Sequence, residues 1–168
     1  DRYTGVLFDA LDAASLSAIS RRWLGSHVWI HSAPFGPVGA LDPIPAYRLA
    51  AGTSLPGVAP LRRHWAAATT AAIEEDAPAF VLDLRSEAYA ALGPVPASIP
   101  SIYVRVVTAE GRVLNHFNKK SKGLLVRALA DARPRLGSLR AFRRWAEAND
   151  IVVRDPAEPG IVELVVEE

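Results

Sequence analysis

The stretch Asn118–Gly123, NKKSKG, places three lysines between a segment that reads as strand and one that reads as helix. A helix N-terminus already carries partial positive charge and ordinarily takes Asp or Glu. Lysines crowded there suit an anion, which the free N–H groups of the first turn would also hold. They begin a longer basic run. Arg112–Arg144 contains ten Lys or Arg and one acid, Asp131, leaving nine basic against seventeen acidic residues elsewhere. The net charge of +1 therefore conceals a basic segment on an acidic body, and local potential rather than net charge attracts a polyanion. The chemistry to expect is phosphate contact by Lys119, Lys120, Lys122, Arg127, Arg133, Arg135, Arg140 and Arg144. A solvated basic face, with Arg127–Asp131 and Arg143–Glu147 paired at i,i+4, is the competing reading of the same residues.

A second set of reactive side chains sits in RSEAY, just beyond an apolar strand. Ser86, Glu87, Tyr89 and, across the chain, Lys120 could serve an enzyme acting on a nucleotide or nucleobase-like molecule. Glu87 would be general acid or base, and Ser86 or Tyr89 would position the substrate. Ser86 as a helix N-cap and Tyr89 at the core edge explain the same residues without catalysis. Whether the chain is an enzyme stays open at this point. HVWIH puts His27 and His31 four apart; on a strand they lie roughly 13 Å from each other and cannot share an ion. His64 and His116 have no ligand at suitable spacing. With no cysteine in the chain, no metal site, disulfide or thiolate chemistry is expected, and no cofactor motif is present: no Walker A loop, Rossmann glycine pattern or G-x-S-x-G elbow.

These residues need elements to position them. At 168 residues, half of them hydrophobic, the chain can bury a sizeable core as one domain, residues 1–168. No apolar run approaches the length of a membrane span, and no secretory pattern opens the sequence. SLSAISRRWLG reads as a helix ended by Gly25, HVWIH as strand, and the proline-rich 33–60 stretch as an ordered loop. LRRHWAAATTAAIEE is a helix, AFVLDL a buried strand, and SEAYAAL a short helix capped by Ser86. IYVRVVT and RVLNHFN, joined by AEG, read as a hairpin. Two helices follow, KKSKGLLVRALADA and SLRAFRRWAEAND, broken at RPRLG. In the first, Leu124, Leu125, Ala128, Leu129 and Ala132 form the apolar stripe, while Lys120, Gly123 and Arg127 share another face. The close, IVVRD-PAEPG-IVELVVE, reads as two strands. The expected class is α+β: a mixed sheet with helices packed around it and a basic two-helix, helix-hairpin-helix-like element.

Taken in order, RYTGVLFDAL, APFGPVGALDPIPAYRLAAGTSL, RRHW, FVLDLRSEAY and NHFNKKSKGLLVRAL resemble the peroxide-stress YaaA family. The chain starts without the β-strand and SPSKT- or PPSEGK-like loop with which that family usually begins. This implies the C-terminal three quarters of a family member, and lower stability than a longer version. The family's SGLYG appears here as SAPFG, and the arginine of its RPLD is Gly39. The resemblance implies a cytoplasmic bacterial protein of the peroxide-stress response, linked to limiting free intracellular iron. It also implies DNA binding through a helix-hairpin-helix-like element and a positively charged cleft. By position, the basic residues it carries over are Lys119, Lys120, Lys122 and Arg127, and the other motif positions are Tyr3, Tyr47, Arg48, Ser86, Glu87 and Tyr89. The partners expected are DNA, contacted mostly through its backbone, or a small phosphorylated ligand, and no membrane.

Overall fold

The computed structural model describes residues 2–114 and 118–167. Its centre is a four-stranded sheet in the order β3–β4–β6–β5, formed by Val81–Asp83, Ser101–Val107, Ile161–Val165 and Val153–Arg154 respectively. β3 and β6 both run parallel to β4, and β5 pairs antiparallel with β6, so the sheet is mixed. Around it lie α1 (Val6–Leu11), α2 (Ala18–His27), α3 (Leu61–Asp76), α4 (Glu87–Ala90), α5 (Asn118–Ala132) and α6 (Leu139–Glu147). A separate two-stranded ribbon pairs β1 (Trp29–Ser32) with β2 (Gly36–Gly39). Helices and a mixed sheet make the α+β class expected from the sequence.

The core follows from the apolar patterning. Alternate residues of β4, Ile102, Val104 and Val106, are buried, as are Val162 and Leu164 on β6. Leu125 and Leu129 of α5 and Phe142 of α6 close over them. Ser138 begins α6 by accepting a hydrogen bond from Ala141 N at 3.2 Å, and Ser17 begins α2 by accepting from Ser20 N at 3.1 Å. α1 lies directly on α5, and the contact depends on Gly123. A Cβ there would fall 2.2 Å from the Leu7 carbonyl oxygen and 2.8 Å from Ala10 Cβ. The glycine face of α5 is therefore buried under α1 and gives no approach to an outside backbone.

Several local expectations change. Gly25 does not end α2; the helix continues to His27, with Val28 N donating to Leu24 O, and side chains of its last turn fold back on the backbone. Ser26 Oγ donates to Arg22 and Trp23 oxygens, and His27 Nδ1 donates to Trp23 O at 2.9 Å. His27 therefore belongs to a helix, its ring stacked on Trp23, and only His31 lies on the strand. The proline-rich 33–60 stretch includes one regular element, β2. Ser86 occupies the N-cap position of α4 but makes no side-chain capping bond. The hairpin after β4 closes with Thr108 N donating to Arg112 O and Leu114 N to Val106 O, and Val113 forms a bridge rather than a strand. The rest of that arm, with His116, lies outside the described residues.

Candidate functional site

The parallel arrangement brings the end of β3 to the middle of β4, with Asp83 opposite Tyr103. Side chains that are isolated in the sequence converge there. Arg85, two residues beyond Asp83, grips its carboxylate with two prongs, Nε to Oδ1 at 2.9 Å and Nη2 to Oδ2 at 2.7 Å; its backbone N–H also reaches Oδ1. The other prong, Nη1, donates to Gly93 O at 2.8 Å and to His31 Nδ1 at 2.9 Å. A guanidinium has only donors, so His31 Nδ1 accepts and the imidazole is neutral with its hydrogen on Nε2. Burial, reinforced by the neighbouring guanidinium, pulls its pKa down to about 4.

Lys122 approaches the same centre from α5. It is 3% exposed, donates to Arg85 O at 3.3 Å, and holds its amine 4.9 Å from the centre of the Tyr103 ring. Burial lowers its pKa to about 8, against the opposing pull of Asp83 and Glu87. The Tyr103 hydroxyl is shifted up, first by burial and then by Glu87 and Asp83.

A phenol cluster adjoins the pair. The Tyr47 hydroxyl donates to Tyr3 Oη at 3.2 Å, their rings meet edge to face, and the Tyr89 ring lies 6.1 Å from that of His31. Burial raises the pKa of Tyr3 and of Tyr89, with Tyr47 adding to both. Three motif positions from residues 3, 47 and 89 thus share one neighbourhood. Arg48 is exposed.

The eight basic residues marked by the sequence separate into two groups. Lys119 and Lys120 at the start of α5 are exposed, as are Arg135, Arg140 and Arg144. The others are engaged by the protein itself. Lys122 points inward, as described. Arg127 binds Asp131 at 2.7 Å, Ser15 Oγ at 2.6 Å and the carbonyls of Leu11 and Asp12. Arg133, whose left-handed backbone (φ 53°) closes α5, donates to Asp131 O and Ser20 Oγ. The Arg127–Asp131 pair expected at i,i+4 forms, whereas Arg143 pairs with Asp155 instead of Glu147. Glu87 and Ser86 are exposed beside Tyr89.

Asp83, Arg85 and Tyr103 were not singled out in the sequence, and His31 was weighed there only as a metal ligand. The available signal was DLR at residues 83–85, an acid and an arginine two apart where the apolar strand β3 ends. Among the described residues no cluster of three His, Cys, Asp or Glu could hold a metal ion. No helix there is long and apolar enough to cross a membrane.

Residues 1–149 match the sequence profile of a family described as peroxide stress protein YaaA. The chain belongs to that family. It is 45% identical to a UPF0246 protein of Streptomyces coelicolor over 133 residues, covering 76% of this chain and 50% of that protein. With a UPF0246 protein of Corynebacterium glutamicum it is 38% identical over 174 aligned positions, covering 98% of this chain and 68% of that protein. A UPF0246 protein of Bordetella avium shares 27% over 157 residues, covering 84% and 60%. The chain thus spans about half to two thirds of the length of these relatives. The YaaA family name connects it with the response to peroxide stress. Tyr3, Tyr47, Ser86, Glu87, Tyr89 and Lys122, the positions that the sequence resemblance marks as motif residues, lie in or beside the Asp83–Arg85–His31 cluster.

Proposed function

We propose that this chain serves the peroxide-stress response as a DNA-binding protein of the cytoplasm, contacting the nucleic-acid backbone through the α5–α6 pair. The observation that carries this reading is that Lys119, Lys120, Arg135, Arg140 and Arg144 are all exposed and none has an ion-pair partner among the described residues. Uncommitted cations release counterions on meeting phosphates, which is the main source of sequence-independent affinity.

Arg127 and Lys122 hold the fold and are poor probes of DNA contact. The test uses Lys119→Ala with Lys120→Ala, and separately Arg140→Ala with Arg144→Ala, titrated against one duplex at several salt concentrations. Each pair should weaken binding to all sequences about equally. Each should also flatten the log K against log salt slope by roughly 0.9 per lost contact. A slope unchanged in both would remove the backbone-clamp reading.

A second reading, an enzyme on a nucleotide or nucleobase-like molecule, is favoured by one observation. Lys122 of NKKSKG faces the carboxylates of Asp83 and Glu87 instead of solvent. On this reading Lys119 and Lys120 would hold a phosphate, Glu87 would act as general acid or base, and Tyr89 or Ser86 would position the substrate.

A further inference from the structure

A cleft of about 380 Å³ opens beside the end of β3, near the lower end of the range that takes a small molecule. Its polar lining is the Asp83–Arg85 pair, Tyr103 and Ser101, and its walls include the small apolar surfaces of Ala91, Pro94 and Val95. The hydrogen bonds of the pair are nearly complete. A guanidinium has five N–H donors. Arg85 commits four: Nε and one Nη2 hydrogen to Asp83, and both Nη1 hydrogens, to Gly93 O and His31 Nδ1. One Nη2 hydrogen has no acceptor among the described residues. Beside it, Asp83 Oδ2 accepts one bond where Oδ1 accepts two, so a lone pair on Oδ2 is left. A donor and an acceptor therefore stand side by side on adjoining atoms, held rigid by His31 and Gly93 behind them.

The charge at this place balances. Arg85 and Lys122 are offset by Asp83 and Glu87, the two carboxylates that act on Lys122. A balanced centre gives a phosphate or carboxylate no net attraction. Paired donor and acceptor groups flanked by an aromatic ring and apolar walls instead match the edge of a flat, neutral amide-bearing ring. We propose that this cleft binds an uncharged planar heterocycle of the nucleobase class, read by Arg85 Nη2–H and Asp83 Oδ2 against the Tyr103 ring. His31 is a positioning residue here: it touches Arg85 and aims the guanidinium. The proposal rests on the second reading above and names the part of the ligand that the cleft would recognise.

The test follows the Arg85 Nε–H and Tyr103 resonances of the 15N-labelled chain during separate titrations with adenosine, guanosine, cytidine, uridine, their 5′-monophosphates and inorganic phosphate. Saturable shifts at Arg85 from at least one free nucleoside are expected, with inorganic phosphate causing none. Ala91→Leu narrows the cleft without touching the ion pair and should weaken that nucleoside at least about tenfold. The retained Arg85 Nε–H signal reports that the variant is folded, and if it is not, Val95→Phe fills the opposite wall. No saturable shift from any nucleoside, equal affinity in the folded cleft-filling variant, or an equal response to inorganic phosphate would overturn the proposal. Monophosphates that bind through Lys119 and Lys120 while Arg85 stays unmoved would leave the second reading standing and remove the cleft. Failure of nucleosides and monophosphates together would remove both.

Discussion

His31 shows how much of this site depends on a single protonation state. It can accept from Arg85 only while neutral, and its pKa near 4 lies below the 6.5 of an unstructured histidine. Between those values the unfolded chain takes up a proton that the folded chain refuses. The stability contributed is therefore complete above pH 6.5 and is lost as pH falls toward 4. Thermal melts of wild type should drop through that window, and His31→Gln, which keeps an acceptor for the guanidinium, should show a shallower drop. Equal slopes would mean that His31 titrates normally. Lys122 poses a similar problem of charge. Its amine is held by one long hydrogen bond and an aromatic face, so its position depends on the two carboxylates nearby. None of this was legible from residue types. His31 and Arg85 are far apart in the sequence, and nothing beside His31, between Ile30 and Ser32, gives a local sign of an arginine partner.

At the scale of elements the sequence was more informative, because periodicity and caps act locally. α3, α5, α6 and the two last strands lie close to where apolar spacing puts them, helped by Pro60 before α3 and Ser138 before α6. What periodicity could not supply was the partner of each face. Lys120, Gly123 and Arg127 do share a side of α5, but α1 covers much of it, and Arg127 binds carbonyls more than a hundred residues away. The close α1–α5 contact gives a clear expectation. Gly123→Ala improves helix propensity by about 1 kcal/mol. It also drives a methyl into the Leu7 carbonyl, and overpacking of this kind costs about 1–3 kcal/mol. The net result should be a lower urea midpoint. Because Phe8 of α1 stacks on Tyr3, the variant should also disturb Tyr3 and Tyr47, visible in their aromatic resonances. A midpoint that rose would show that α1 can move away freely.

For the whole molecule, the strand order outweighs any single contact. β6 is an interior strand between β4 and β5, yet its residues, 161–165, follow every other described element in the chain. A chain released at residue 160 should keep β4 open to protease, whereas the chain of 168 residues should resist at the same protease concentration. Equal resistance would mean that α5 and α6 alone secure β4. During synthesis the consequence is one of timing. Tyr103 pairs with Ile161, so β4 leaves the ribosome long before its neighbour exists. At 5–20 residues per second that is roughly 3–12 s during which Val104 and Val106 have no β6 beside them. For that interval the nascent chain displays a bare apolar strand edge, a target for chaperones and for aggregation that disappears once translation has passed Val165.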